Sequence, residues 1–257
     1  MPGLQPPAER IRVAYVFLDL DDGGAERLTV AACREMDRDR LLPQVLCLRG
    51  SGALVGEAVA SGLHVHSLGR LRAPRDWRAL GAAARWFRSA AIDVAHVQLY
   101  SRASPYARGA AKLARVPLIV AHEWCRPSPP RAARAMVDRA LAPGTRYVAT
   151  SRSLARDLIA SGAPARDVEV VHSGIDTDAH APRDRAACRR GLDLPPDRPV
   201  LLVPARLHPM KGHVDLIAAL PRVLQALPET LTLLAGDGPL RSELPALVRA
   251  AGLEEAV

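Results

Sequence analysis

Val203-Pro204-Ala205-Arg206-Leu207-His208-Pro209-Met210-Lys211-Gly212-His213 joins a short apolar run to a helical pattern. Val200 to Val203 is long enough for a buried strand and too short for a helix. Asp215, Leu216, Ile217, Leu220, Val223 and Leu224 then recur at helical spacing. The stretch therefore reads as a strand-to-helix connection, with Arg206 just past the carboxyl end of the strand and Lys211 in the turn that opens the helix. A parallel sheet gathers its ligands at that edge, and a helix amino terminus offers unpaired N–H groups to an anion. Two cations flanking such a turn suit a diphosphate. The plainer reading of the same pair is two solvated surface cations.

Outward from this stretch, strand-like runs alternate with helical patterns along the whole chain. Ile11 to Phe17, Val45 to Leu48, Val65 to Leu68, Val94 to Val97, Leu118 to Ala121, Tyr147 to Ala149 and Val168 to Val171 are the predicted strands of the first part. Between them run apolar stripes at helical spacing, such as Leu28, Ala31, Ala32 and Met36, or Trp77, Leu80, Ala84 and Phe87. Ser151 is placed to cap a helix running to Ala160, with Gly162 beyond its end. This alternation predicts an α/β fold with a doubly wound parallel sheet, Rossmann-like, complete by residue 172. Residues 173–198 hold Pro182, Pro195 and Pro196 amid charged residues and read as a linker, with one short helix around Asp184 to Arg190. Residues 199–257 supply a second unit: strand, helix to about Leu227, strand Leu231 to Ala235, and helix from Pro239 to Ala250. At this length they make only the first half of a second Rossmann-like domain.

Composition narrows the function classes. The chain carries 35 Lys+Arg against 27 Asp+Glu, a net charge of +8, yet its lysines are only Lys112 and Lys211. With 4% aromatic residues and no basic run interleaved with aromatics, a nucleic-acid partner is not expected. Positive charge suits an acidic donor or transient contact with an anionic membrane surface. Cys33, Cys47, Cys125 and Cys188 are scattered without a C-x-x-C pair, so neither a zinc knuckle nor a redox dithiol is expected. Met1 to Arg10 lacks the order of a signal peptide, and no apolar run reaches the ~18 residues of a membrane span. A cytoplasmic protein is the expectation.

Gly23-Gly24-Ala25-Glu26-Arg27 follows the first strand and opens the first helix. Paired glycines let a ligand approach the backbone closely, although such a pair also serves as an ordinary tight turn. The pattern is not G-x-G-x-x-G, and the second strand runs into Arg49 rather than into an acidic residue for a ribose. A dinucleotide fingerprint is therefore disfavoured.

Taken together, GGAER after the first strand, SRSLARDLIASG before VEVVHSGID, and VPARLHPMKGHVDLIAAL before LTLLAGDGPLRSEL resemble the family-4 glycosyltransferases, retaining enzymes of the GT-B fold. The resemblance covers nearly the whole chain in the family's order. It implies two Rossmann-like domains facing each other across a cleft, an acceptor on the first and a nucleotide-sugar on the second. By the same resemblance Arg206 and Lys211 hold the donor diphosphate, and Gly24 brings its backbone against it. Gly23, Glu26, His96 and Glu123 are candidates for the cleft and the acceptor, which in such enzymes is a lipid or a saccharide. His122, ending a strand in Ile119-Val120-Ala121-His122-Glu123-Trp124, is the candidate catalytic residue, because related enzymes place a histidine near the transferred sugar; its plainer reading is a structural histidine.

The implied chemistry suits these parts. Cleaving the bond between the anomeric carbon and the diphosphate develops negative charge, which fixed cations and N–H dipoles neutralise where no metal does. The chain has no D-x-D triplet, and Asp21-Asp22 lacks a companion ligand, so no metal and no cofactor beyond the nucleotide-sugar substrate are expected. Three departures stand out. Pro204-Ala205 stands where relatives carry a glycine before the arginine, and His172-Ser173-Gly174-Ile175-Asp176 has serine in place of asparagine. The glutamate pair that contacts sugar and ribose in the family has no counterpart in these residues. The expectation is therefore a truncated or fragmentary glycosyltransferase with little activity alone. The alternative is a non-catalytic module that binds an acceptor or a partner, and a nucleotide-sugar epimerase on the same fold is a third reading.

Overall fold

The computed structural model describes residues 10–71, 76–98, 103–125, 136 and 139–257. The amino-terminal stretch examined for a leader lies outside them, apart from Arg10. The chain divides into two compact units between Thr177 and Asp178, within the proline-rich stretch.

The first unit is built on strands β1 (Ile11–Phe17), β2 (Leu41–Cys47), β3 (His64–Ser67), β4 (Val94–Gln98), β5 (Leu118–Glu123), β6 (Thr145–Ala149) and β7 (Val168–Val170). They form one sheet in the order β3-β2-β1-β4-β5-β6-β7, with every pairing parallel. The described helices of this unit are α1 (Gly24–Arg34), α2 (Val55–Ala60), α3 (Trp77–Ser89), α4 (Ala103–Ala114) and α5 (Arg152–Ala160). The order reverses between β1 and β4, so loops on either side of that point diverge and leave room at the carboxyl edge.

Alternation along the strands divides the core in two. Ala14, Val16, Ala95, Val97 and Ile119 pack against Ala83 and Phe87 of α3 and Ala107, Ala110 and Ala111 of α4. Val13, Tyr15, Phe17, Val45 and Cys47 face the other way, onto Val30 and Cys33 of α1 and Ala58 of α2. The abundance of alanine has a packing use here, since alanines on α3 and α4 let both helices lie close to the sheet. Arg12 ties the start of β1 to the residue before β4: its guanidinium meets Asp93 at 3.0 Å and holds that carboxyl below the usual carboxylate range.

β2 begins four residues earlier than its apolar run. Pro43 is tolerated because β3 pairs only with Gln44 to Cys47, so the missing N–H leaves no partner on that side unsatisfied. The Ser151 hydroxyl accepts from the Leu154 N–H at 3.2 Å, and Gly162 follows the helix with φ of 104°. The cap is the one the sequence specifies.

The second unit contains α6 (Arg185–Gly191), β8 (Val200–Pro204), α7 (His213–Ala226), β9 (Leu231–Ala235) and α8 (Leu244–Ala250). β8 and β9 pair in parallel, and Leu207, Ile217, Leu220, Leu240, Leu244, Val248 and Leu253 form the core. The last helix begins at Leu244, not at Pro239 as the pattern predicts. Pro245 explains the difference: within the first turn its missing N–H costs nothing, whereas six residues on from Pro239 it would break the ladder. Residues 239–243 form turns instead, fixed by the Leu240 N–H on the Leu207 carbonyl at 3.0 Å.

Candidate functional site

In the first unit the candidate residues lie at the carboxyl edge of the sheet. Gly23 caps α1 with extended backbone, and Gly24 is the first helical residue. A Cβ on Gly24 would meet nothing within 4 Å, so no packing inside the described protein demands glycine there. A Cβ on Gly23 would fall on the Glu26 carboxylate, which folds back over the helix start. Asp22 pairs with Arg27, at 2.8 Å for one of its two contacts, and Asp19 pairs with Arg49. Arg49, read in the sequence as the wrong residue for a ribose, is thus engaged with a carboxylate.

His96 and His122 meet. His96 Nε2 lies 3.0 Å from His122 Nδ1, joining the ends of two adjacent strands. Burial pushes His122 down to about 4; His96 is lowered as well, first by burial and then by the neighbouring imidazole. Both rings are therefore neutral at pH 7. Tyr15 lies against His96 with ring centroids 4.8 Å apart, and Trp124 stacks on His122 at 4.3 Å. The Trp124 indole N–H donates to Gln98 Oε1. Gln98 is 1% exposed and stands opposite His122 in the β4–β5 register, so both present to one face. Glu123 is one residue on and faces the opposite way. It is 2% exposed, and its Oε1 accepts from the backbone N–H groups of Trp124, at 3.2 Å, and Cys125, at 3.4 Å.

Gln98 and Trp124 were not among the sequence candidates. The signal for Gln98 was present: a polar residue two positions after His96 shares its face and stands at the ligand edge of the sheet. Trp124 follows the strand, so alternation does not set its direction.

In the second unit the quoted stretch is a loop from β8 into α7, broken by one 3-10 turn over Pro209–Lys211. His208 caps that turn, its Nδ1 accepting the Met210 N–H at 3.3 Å. Gly212 then caps α7 at φ 71°, a left-handed conformation, and no side chain caps the first N–H groups of α7. The loop after β9 braces this one. The Leu207 N–H donates to the Asp237 carbonyl at 2.9 Å, and a Cβ on Gly236 would lie 2.1 Å from the Ala205 carbonyl oxygen. Arg206 and Lys211 are exposed, and neither is in an ion pair among the described residues. His213, at the start of α7, is 1% exposed and both its ring nitrogens lack partners. Among the described residues no group of three or more His, Cys, Asp or Glu is placed to hold a metal ion. No described helix is long and apolar enough to cross a membrane.

Comparison with known proteins bears on the family and the fold. The family described as Glycosyltransferase Family 4 matches residues 22–179, and the family described as Glycosyl transferases group 1 matches residues 184–257. A GDP-mannose-dependent alpha-(1-6)-phosphatidylinositol monomannoside mannosyltransferase of Mycolicibacterium smegmatis is 37% identical over 98 residues, 37% of this chain and 25% of that protein. A D-inositol 3-phosphate glycosyltransferase of Nocardioides is 42% identical over 66 residues, 26% of this chain and 14% of that protein. The matched segments thus span a quarter or less of these two relatives. Among solved structures, Anabaena Alr3699/HepE in complex with UDP and glucose superposes with a TM-score of 0.79 at 22% identity, over 96% of this chain and 68% of that one. That likeness establishes the fold. With family matches extending from residue 22 to residue 257, the chain belongs to the family 4 glycosyltransferases.

Proposed function

We propose that this protein transfers a sugar from a nucleotide-sugar to a saccharide or lipid acceptor, with retention of anomeric configuration and without a metal. The observation that carries the reading is the braced loop from β8 to α7, where exposed Arg206 and Lys211 flank an open helix amino terminus. Fixed cations and N–H dipoles suit the charge that develops on a departing diphosphate, and they need no reorganisation as it forms. By the family resemblance Gly24 serves the same diphosphate through its bare backbone. His122 faces the transferred sugar, while Gly23, Glu26, His96 and Glu123 belong to the acceptor side. Residues 1–172 form the acceptor-side domain, 173–198 the linker, and 199–257 the donor-side segment. The net charge of +8 supports a transient encounter with an anionic membrane surface on the cytoplasmic side when the acceptor is a lipid. The 257 residues alone are expected to turn over slowly, because catalysis needs the reacting centre held by both walls and the family's glutamate pair is not among them.

Calorimetric titration of the chain with UDP and with GDP tests the reading. One of the two is expected to bind, and Arg206→Ala or Lys211→Ala is expected to abolish binding while leaving thermal unfolding nearly unchanged, as both side chains are exposed. Gly24→Ala separates ligand from fold: the added methyl has free space in the protein, so stability holds or rises by a few tenths of a kcal/mol while nucleotide affinity falls. Unaltered affinity in all three variants refutes the assignment, and the module that binds an acceptor or partner takes its place.

A further inference from the structure

We propose that His96 and Trp124 are positioning residues that fix the hydrogen polarity of His122 and Gln98, so that both present neutral N–H donors to one hydroxyl group of a saccharide. This rests on the glycosyl-transfer reading for the class of ligand, and on geometry alone for the polarity.

The argument is one of hydrogen-bond accounting. Indole nitrogen is a donor only, so the Gln98 group that receives Trp124 Nε1–H must be the carboxamide oxygen. The remaining group of Gln98 is then its NH2, which is buried and without a partner among the described residues. The amide orientation is thereby decided by its neighbour. At the histidine pair, one hydrogen occupies the 3.0 Å gap between His96 Nε2 and His122 Nδ1. If His96 donates it, both rings carry their hydrogen on Nε2, the commoner tautomer of neutral imidazole. If His122 donates it, both rings must take the rarer form. The first arrangement is favoured twice over, and it leaves His122 Nε2–H as a second buried donor without a partner.

The two residues are neighbours by construction. Gln98 and His122 are in register on adjacent parallel strands, and Trp124 holds both, one by its N–H and the other by its ring face. Leaving a donor buried and unsatisfied costs about 1–3 kcal/mol, so two at one strand edge mark a place where an incoming acceptor atom gains affinity. Both are uncharged. They suit an uncharged oxygen, and within the glycosyl-transfer reading that oxygen is a saccharide hydroxyl. The hydroxyl belongs either to the donor sugar or to the acceptor.

Nitrogen NMR on the 257-residue chain labelled at histidine and glutamine decides the polarity without reference to activity. The sequence has eight histidines, and His122→Asn identifies the resonances of His122. The wild-type spectrum is expected to show His122 as a single tautomer, with Nε2 protonated and Nδ1 bare. His96→Phe should average the two tautomers, while His96→Gln, which keeps an N–H donor, should restore the single one. Trp124→Phe retains the stack, removes the indole N–H, and should leave His122 unchanged while the Gln98 carboxamide resonances broaden or double. Protonation of His122 at Nδ1 in the wild type, or an unaltered spectrum in a folded His96→Phe variant, overturns the proposal. Titration with GDP-mannose or UDP-glucose forms the donor arm, and titration with D-inositol 3-phosphate forms the acceptor arm. The arm that shifts His122 Nε2, and loses that shift in Gln98→Leu, identifies the source of the hydroxyl. The expected tautomers with no shift in either arm refute the saccharide reading while leaving the positioning intact.

Discussion

Acid should weaken the first unit well above the range where carboxylates protonate. Burial holds His122 near 4 and lowers His96 as well, whereas in the unfolded chain both return to the ordinary imidazole value near 6.5. Between those limits the unfolded chain binds protons that the folded chain refuses, so stability rises with pH across the window. The contribution is fully present above about pH 6.5 and is lost as pH falls toward 4. His122 alone supplies a slope of at most ~1.4 kcal/mol per pH unit, or about 3 kcal/mol over the whole window. That is a large share of the ~5–15 kcal/mol that holds a domain together. Arg12 keeps the Asp93 carboxyl charged to below its ordinary value, so that ion pair fails only at lower pH and does not confuse the reading. Urea unfolding followed by tryptophan fluorescence is the assay, since Trp77, Trp86 and Trp124 all lie in the first unit. Between pH 6.5 and 5 His122 alone should cost the wild type about 1–2 kcal/mol, and His96 adds to it. His122→Leu should be less stable at pH 7.5 through lost contacts, yet show a visibly flatter profile. A flat wild-type profile from pH 7.5 to 5, or the same slope in the variant, would refute the burial of neutral imidazoles at this edge.

Two further outcomes follow from the second unit. Gly236→Ala drives a Cβ to 2.1 Å from a carbonyl that the β8–β9 loops cannot move aside, and should cost at least about 2 kcal/mol, read as a lower thermal midpoint by circular dichroism; an unchanged midpoint would show that the two loops are not interlocked. Leu202 in β8 is 55% exposed while Val16 in β1 is fully buried, so amides of β8 should exchange with deuterium faster than those of β1, or the chain should self-associate in light scattering; a monomer with equal protection in both strands would overturn this.

Much of the fold was legible because parallel sheets advertise themselves. Central strands such as β1 read as apolar runs, and seven strand-like runs separated by helical stripes leave few topologies open. Boundaries failed where a proline's meaning depends on its neighbours. Pro43 is inside β2 because β3 is shorter than β2 at that end, a fact of pairing that no local window contains. Pro245 shortens the last helix because it is acceptable only in a first turn, and the pattern from Pro239 onward conceals where that turn starts.

The site was legible in proportion to how far each residue depends on its own strand. Arg206, Lys211 and Gly24 follow from one strand-to-helix junction each, and sequence order alone places them. His96 and His122 lie twenty-six residues apart, and each read singly is an ordinary histidine at a strand end. Their contact needs β4 beside β5 in a register that sets Gln98 opposite His122, and the register is a property of the sheet. Hydrogen polarity lies further out still. Gln98 can present oxygen or nitrogen, and His122 can carry its hydrogen on either atom; the choice comes from a tryptophan beyond one strand and a histidine within the other. On the proposed reading, what this strand edge recognises rests on pairs of residues, and a pair that only sheet register brings together is not legible from either member alone.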